Sequence, residues 1–152
     1  MSLTLNILVA DDNPDDIFLL EQAFRKAGVS SRLNSVRDGV EAIAYLKGED
    51  AYADRSAYPF PDVLLLDLNM PLLNGFEVLE RVRRDENCAG LLVYVLTASA
   101  RESDMEQAYA LHANGFVVKP NRLDELVAFV STLHQWHRFV LVPRQILACE
   151  SL

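Results

Sequence analysis

The sequence predicts a doubly wound α/β fold, in which a five-stranded parallel sheet carries helices on both faces. The chain has 152 residues, a length that suits one ordinary domain. Short aliphatic runs occur five times along it, and stretches with helical periodicity separate them. Strands and helices that alternate in this way form a parallel sheet whose two faces are covered by the helices.

The first strand and the start of the first helix have clear local signals. Residues 5–10 form a mostly aliphatic run, which is typical of a strand buried on both faces. Asn13 is a favourable N-cap, and Pro14 fits the first helical position after it. Asp15 and Asp16 suit the first turn, because carboxylates there interact favourably with the helix dipole.

Spacing and turn residues predict the rest of the first two strand–helix units. The core-facing stripe of the first helix is predicted to be Phe18, Leu19, Ala23, Phe24 and Ala27. Gly28 is expected to end this helix. A weaker strand is predicted over residues 32–36, and Asp38 is expected to cap a second helix. That helix is predicted to carry the apolar residues Val40, Ile43, Ala44 and Leu46. Residues 48–61 form a long connection that ends in a proline-rich stretch.

The third and fourth strands are predicted from two further aliphatic runs. Residues 63–66 are the clearest buried strand, and residues 91–96 form another. A helix over about residues 76–84 connects them. Ser103 and Glu106 have the spacing of a capping box, which predicts the start of the next helix.

A short fifth strand over residues 116–118 and a last helix over about residues 123–137 complete the pattern. The stripe of this helix that faces the core is predicted to be Leu126, Val130, Leu133 and His137. Phe129 and Trp136 lie on its flank, either as the edge of the core or as an aromatic strip that contacts a partner. Right-handed crossovers favour the flavodoxin-like strand order 2-1-3-4-5.

The composition argues against several classes of protein. With 14 Lys and Arg against 22 Asp and Glu, the formal charge is −8, which argues against a protein that coats nucleic acid. No apolar run approaches the roughly 18 to 20 residues that cross a bilayer. The first residues also lack the features of a secretory signal. We therefore expect a cytoplasmic protein with neither a nucleic-acid nor a membrane partner.

Polar side chains follow four of the five predicted strands, at the point where each strand ends. They are Asp11 and Asp12, Asp67, Thr97 and Lys119. The carboxyl ends of parallel strands meet at one edge of the sheet, where ligands bind in this fold class. Each of these residues taken alone also has a structural explanation as a loop or turn residue. Together they predict a site.

Three carboxylates at one edge predict a Mg²⁺ site, since Mg²⁺ prefers hard oxygen ligands. Asp12 and Asp67 are the predicted side-chain ligands, and Asp11 is expected to act through water. The backbone carbonyl of Asn69 could supply a further oxygen. Asp67 could also act as a nucleophile that accepts a phosphoryl group as an acyl phosphate. The metal and Lys119 would neutralise charge on the transferring oxygens, and Thr97 could donate its hydroxyl to one of them.

The chain resembles the response-regulator receiver domains of two-component signalling over about residues 4–137. The matching segments are residues 8–12, residues 66–71 with Gly75, residues 96–98 and residues 116–120. The resemblance implies that Asp67 receives phosphate from a sensor histidine kinase, that Asp11 and Asp12 hold Mg²⁺, and that Lys119 contacts the phosphoryl group. It also implies a switch pair, in which the Thr97 hydroxyl moves to the phosphate and the Phe116 ring turns inward.

The resemblance further suggests a stand-alone receiver of the kind paired with phytochrome-type kinases. Residues 1–137 would form the receiver domain. Residues 138–152 are too few for an output module and are expected to pack on the domain or on a second subunit. The expected assembly is a homodimer through the fourth and fifth helices. Such a protein is not an enzyme beyond its own phosphorylation and dephosphorylation.

Three other functions are less well supported by the residues. A phosphorelay shuttle would pass the phosphate from Asp67 to a histidine phosphotransfer protein. A flavodoxin-like FMN carrier would need hydroxyl and backbone donors after the first strand, where this chain has acids. A phosphatase of the haloacid dehalogenase type would need a second aspartate at the position of Asn69.

Overall fold

The computed structural model describes residues 4–140, and these form the predicted α/β architecture. The five strands are parallel and lie in the predicted order β2-β1-β3-β4-β5. They are β1 (Leu5–Ala10), β2 (Ser31–Val36), β3 (Val63–Leu66), β4 (Leu92–Thr97) and β5 (Gly115–Val118). The helices are α1 (Pro14–Ala27), α2 (Gly39–Lys47), α3 (Gly75–Arg84), α4 (Glu102–Ala110) and α5 (Leu123–Trp136). None of the helices in this part of the chain is long and apolar enough to cross a membrane.

The sheet separates two hydrophobic cores, and the central strand β3 contributes to both. Side chains alternate between the faces of a strand. Leu64 and Leu66 therefore pack in the core beneath α2, α3 and α4, whereas Val63 and Leu65 pack in the core beneath α1 and α5. All four side chains are fully buried. The continuous aliphatic run of β3 thus reflects burial on both faces, as predicted.

Two predicted helix starts are confirmed, and one is wrong. The side chain of Asn13 accepts hydrogen bonds from the first turn of α1, and Asp38 caps α2 in the same way. The predicted capping box of Ser103 and Glu106 is absent, because α4 begins at Glu102. The segment before α4 is held by Ser99, whose hydroxyl accepts a hydrogen bond from the Arg101 N–H at 3.3 Å and donates one to Asp104 at 2.6 Å.

The predicted core-facing stripe of α1 is also partly wrong. Ile17, Leu20, Ala23 and Phe24 are the buried residues of this helix. Phe18 and Leu19 are 58% and 41% exposed. Apolar residues occur on both sides of the true stripe, so periodicity alone leaves the rotation of the helix undecided. The packing of α1 against α5 selects one rotation.

The long connection between α2 and β3 is tied to the end of α2 by one arginine. Arg55 donates from Nη1 to the carbonyl of Tyr45 at 2.7 Å and from Nη2 to the carbonyl of Leu46 at 2.8 Å. These carbonyls belong to the last turn of α2, where a helix leaves its carbonyls without their usual partner four residues on, and the Tyr45 carbonyl also accepts from the Gly48 N–H at 3.1 Å. The connection also contains a short 3₁₀ turn at Asp50–Tyr52. It is therefore an ordered part of the domain.

The C-terminal end of α5 contacts the sheet through a histidine. His137 Nε2 lies 3.1 Å from the hydroxyl oxygen of Tyr94 on β4. Its buried Nδ1 atom has no hydrogen-bond partner among residues 4–140. Burial lowers the pKa of His137 below its ordinary value of 6.5, although the negative charge of Asp62 opposes this shift. The folded protein thus favours the neutral imidazole.

We expect the free energy of unfolding to fall as the pH is lowered through 6.5. The unfolded chain binds a proton at His137 at a higher pH than the folded chain, so acid shifts the equilibrium towards unfolding. Chemical denaturation at about pH 7.5 and about pH 5.5 measures the effect. The variant His137→Gln should show a smaller loss, and His134→Gln, on the same helix, should behave like the wild type. An equal loss of unfolding free energy in the wild type and in both variants would contradict the assignment of this effect to His137.

Candidate functional site

The carboxyl ends of four strands deliver polar side chains to one edge of the sheet. Asp11, Asp67 and Lys119 follow β1, β3 and β5, and Thr97 is the last residue of β4. Backbone hydrogen bonds fix these positions. The Asp67 N–H donates to the Ala10 carbonyl at 2.9 Å, and the Lys119 N–H donates to the Thr97 carbonyl at 2.7 Å. The sheet thus places the residues without help from the loops.

Three acids form a compact cluster at this edge. Asp11, Asp12 and Asp67 each offer a carboxylate oxygen, and these oxygens all lie within 4.8 Å of one another. Asp11 and Asp67 are buried, and Asp12 is exposed. Burial raises the pKa of Asp11, while its hydrogen bond with Lys119 opposes this shift. Such a group of hard oxygen donors fits a divalent cation of the Mg²⁺ type.

Lys119 supplies the positive charge of the site. Its Nζ atom lies 2.7 Å from Asp11 Oδ2, 2.8 Å from Asp16 Oδ2 and 3.1 Å from Asp67 Oδ2. Burial alone would lower the pKa of Lys119, but the hydrogen bonds to Asp11 and Asp16 and the charge of Asp67 outweigh it and raise the pKa. The ammonium group therefore stays protonated throughout the physiological pH range.

Asp16 is the one contact of this cluster that the sequence interpretation missed. It lies in the first turn of α1, where the sequence predicts only a favourable interaction of its carboxylate with the helix dipole. A signal was available, because the first turn after β1 begins at the same edge of the sheet as the other acids. The position of Asp16 at the start of α1 indicates that it lies near the site. It does not indicate the contact with Lys119, which is 103 residues away along the chain.

The other predicted site residues lie around this cluster. Thr97 is fully buried, and its Oγ1 atom accepts a hydrogen bond from the Ser99 N–H at 3.3 Å. Asn69 is exposed two residues after Asp67, and its N–H lies 3.5 Å from Asp67 Oδ1. Phe116 is half-buried against the core beneath α2, α3 and α4.

The two aromatic residues predicted on the flank of α5 differ in their surroundings. Phe129 is half-buried and packs against the core beneath α1 and α5. Trp136 is 59% exposed. The interpretation as the edge of the core thus describes Phe129, whereas Trp136 is accessible to a partner. Residues 141–152, which include most of the expected tail contact, lie outside the described residues.

A cleft between α1 and α5 opens beside the acidic cluster. Asp11, Asp16 and Lys119 line its polar side. Its apolar side is formed by Leu19, Leu20, Leu96, Pro120 and Leu126.

The chain matches the family model described as the response regulator receiver domain over residues 7–131. Among curated proteins, the response regulator Rcp1 of Synechocystis sp. is 31% identical over 138 residues. The aligned region spans 90% of this chain and 92% of Rcp1. The match therefore covers nearly the full length of that relative.

Solved structures of response regulators have the same fold. Phosphorylated RcpA, a cyanobacterial phytochrome response regulator, matches with a TM-score of 0.83 and 34% identity, over 93% of this chain and 99% of RcpA. RPA3017, from red light signaling of R. palustris, gives a TM-score of 0.85 at the same identity and coverage. The Mn²⁺-bound form of Rcp1 gives a TM-score of 0.79 at 31% identity, over 91% of this chain and 99% of Rcp1.

Proposed function

The chain belongs to the response regulator receiver family, and on this premise we propose that Asp67 accepts a phosphoryl group from a sensor histidine kinase. One observation carries the proposal. The Asp67 carboxylate lies beside two further acids and 3.1 Å from the ammonium group of Lys119. Phosphoryl transfer needs little more from a protein than a nucleophile and positive charge near the transferring oxygens.

The transfer forms one bond and breaks one. A carboxylate oxygen of Asp67 attacks the phosphorus, the bond from phosphorus to the donor's histidine nitrogen breaks, and its electron pair returns to the imidazole. The product is an acyl phosphate on Asp67. Lys119 neutralises charge on a phosphoryl oxygen. Thr97 and Phe116 are the proposed switch pair, which responds to the phosphate through the threonine hydroxyl and the aromatic ring.

The donor set fits a divalent metal ion, and we propose Mg²⁺. Asp12 and Asp67 would hold the ion directly, Asp11 through water, and Asn69 through its backbone carbonyl. When bound, the ion would offset the repulsion between the acids and the incoming phosphoryl group. The Mn²⁺-bound form of Rcp1 shows that a relative accommodates such an ion, which supports this part of the proposal.

We propose a phytochrome-type histidine kinase as the partner. The support comes from RcpA and RPA3017, which belong to phytochrome and red light signalling and match over nearly the whole chain. The protein would act in the cytoplasm, and its output would be a contact with another protein. A net charge of −8 disfavours nucleic acid as the target. The protein would act as a phosphoacceptor and not as an enzyme on other substrates.

None of the three alternatives is favoured by a specific observation. An FMN carrier would bind the phosphate of its cofactor at this edge of the sheet. Asp11, Asp12 and Asp67 place negative charge there. Onward relay to a histidine phosphotransfer protein would use the same acceptor, Asp67, so the site geometry is common to both forms of signalling.

Acetyl phosphate provides a direct test of the proposed function. The wild type is incubated with acetyl phosphate and Mg²⁺ and analysed by intact mass spectrometry. We expect one added phosphoryl group, which maps to Asp67 and is absent when a chelator removes the metal. No mass gain in the presence of Mg²⁺, or a gain that is insensitive to the chelator, would overturn the proposal.

We also propose a homodimer through α4 and α5. Exposed apolar side chains lie on α4, on β5, at the last residue of α5 and just beyond it, namely Met105, Tyr109, Val118, Trp136 and Phe139. Exposed aromatic residues often anchor protein interfaces. Trp136 and Phe139 are 59% and 80% exposed, which makes them the strongest candidates.

The variant Trp136→Glu with Phe139→Glu is expected to weaken dimerisation by at least about 2 kcal/mol, the usual threshold for an interface hot spot. Sedimentation velocity over a range of concentrations measures the dissociation constant. Phe18→Glu is the matched control, because Phe18 is an equally exposed aromatic residue on α1. A wild type that is monomeric at all concentrations would refute the dimer, and an equal effect of Phe18→Glu would refute the assigned face.

A further inference from the structure

Lys119 contacts one carboxylate more than its proposed role requires, and that carboxylate belongs to Asp16. An ammonium group has three donors. Two of them face Asp11 and Asp67, which belong to the acidic cluster, and the third faces Asp16 at 2.8 Å. Asp16 is not a member of the group of oxygens that lie within 4.8 Å of one another. It contacts the lysine from outside that cluster.

We propose that Asp16 is a positioning residue that holds Lys119 in place when Asp11 and Asp67 turn to the metal ion and the phosphoryl group. This inference rests on the proposed function. It assigns the first turn of α1 a role in the reaction and names the atom through which it acts, the Nζ of Lys119.

The reason lies in competition for the same two carboxylates. Asp11 and Asp67 each contact Lys119, and both are also needed by a divalent cation. When they turn to the cation, the ammonium loses two of its three partners. Its side chain is only 14% exposed, and a buried charge without partners is costly. Asp16 is the remaining partner, so Lys119 can release the two acids without losing its position.

The backbone of α1 makes Asp16 suitable for this role. Asn13 caps the helix, and its side-chain oxygen accepts hydrogen bonds from the N–H groups of Asp15 and Asp16. The Asp16 carboxylate is therefore carried by an ordered first turn. Lysine by contrast has a long, flexible stem. The fixed carboxylate of Asp16 therefore restricts the positions that the ammonium group of Lys119 can take.

Metal binding is the property that tests the proposal most directly. Without Asp16, Lys119 would pair more closely with Asp11 and Asp67 and compete with the cation. We expect Asp16→Asn to weaken Mn²⁺ binding by about tenfold, as for other residues that support a metal site indirectly. The probe is MnCl₂, and the electron paramagnetic resonance signal of free Mn²⁺ reports the affinity of the full chain.

Asp15→Asn is the matched control, because it removes the same charge from the neighbouring residue of the same helix turn. No contact between Asp15 and Lys119 occurs in the part of the chain that the structure describes. We expect this variant to change the affinity by less than about twofold, since exposed charges are screened. Equal effects of Asp15→Asn and Asp16→Asn would overturn the proposal, because a general loss of charge would then explain both.

The role of Lys119 is tested by making the same Asp16 change in a protein that carries Lys119→Met. With Lys119→Met, the change Asp16→Asn should no longer weaken Mn²⁺ binding beyond the effect of Asp15→Asn, since no ammonium remains to be held. Asp16→Glu should restore part of the affinity in the wild-type background. A full effect of Asp16→Asn in the Lys119→Met protein would overturn the proposal. Asp16 has a side chain that is 35% exposed, so these variants are expected to fold, and circular dichroism checks this.

These measurements separate the inference from the proposed function. If the wild type is phosphorylated on Asp67 while Asp16→Asn binds Mn²⁺ like the control, the positioning role alone is wrong. If the Mn²⁺ results are as expected but no phosphoryl group is accepted, the coupling of Asp16 to Lys119 stands and the phosphoacceptor function is wrong.

Discussion

The variant Asp67→Asn is expected to lose phosphoryl acceptance from acetyl phosphate, with a rate reduced by at least about a hundredfold. An amide is a poor nucleophile compared with a carboxylate, and asparagine cannot form the acyl phosphate. The change preserves the shape of the side chain, which is 8% exposed, so the loss would come from the missing nucleophile and not from a change in packing. Intact mass spectrometry of the protein incubated with Mg²⁺ measures it.

Asp15→Asn serves as the control for this experiment, since it removes an exposed carboxylate near the same edge of the sheet. It should accept phosphate at the rate of the wild type. Thermal unfolding of Asp67→Asn verifies that the variant is folded. Phosphorylation that persists in Asp67→Asn and maps to Asp11 or Asp12 would show that the acidic cluster is reactive but that the acceptor was assigned to the wrong member.

The variant Gly75→Ala is expected to lower the free energy of unfolding by about 2 kcal/mol, a typical cost of overpacking a buried site. A methyl group on Gly75 would lie 2.8 Å from Leu68 Cα and closer still to the carbonyl oxygen of Asp67. Both atoms belong to backbone, which cannot move aside as the end of a side chain could. The segment after Asp67 would have to shift, so phosphoryl acceptance should also slow.

Gly28 provides the comparison for Gly75. It ends α1 with a φ of 65°, and a methyl group there would meet nothing within 4 Å. Gly28→Ala should cost about 1 kcal/mol through backbone conformation alone. Asparagine tolerates this conformation, so Gly28→Asn should be milder than Gly28→Ala, whereas Gly75→Asn should be worse than Gly75→Ala. Urea denaturation of the four variants measures these differences. A Gly75→Ala protein as stable as the wild type would refute the close contact.

Local signals were sufficient for most of the secondary structure. Asn13 and Asp38 cap their helices because each side chain reaches N–H groups only two or three residues away. The predicted start of α4 is wrong because two sets of local contacts compete there. Ser103 and Glu106 have the right spacing, but the contact of Ser99 with Asp104 and Arg101 begins the helix earlier, at Glu102. Competing local contacts of similar strength cannot be ranked from the sequence.

The rotation of α1 also depended on information that the sequence does not contain. Phe18 and Leu19 are large apolar residues that lie between the two that are in fact buried, Ile17 and Leu20. Only the contact of α1 with α5, which is about a hundred residues away along the chain, distinguishes the two stripes. The same limit explains why Phe129 and Trp136 could not be separated into a core residue and an exposed one.

The sequence by itself determined the five strands, their order and the polar residue that follows each buried run. The burial of a strand and the right-handed crossover to the next one depend on short segments of sequence. Parallel strands place their carboxyl ends at one edge of the sheet, however the helices are rotated. Only the tertiary structure decided which charges meet. Asp16 and Lys119 approach to 2.8 Å because the first turn of α1 and the residue after β5 meet at the same edge of the sheet, and no periodicity or local spacing in the chain encodes that contact.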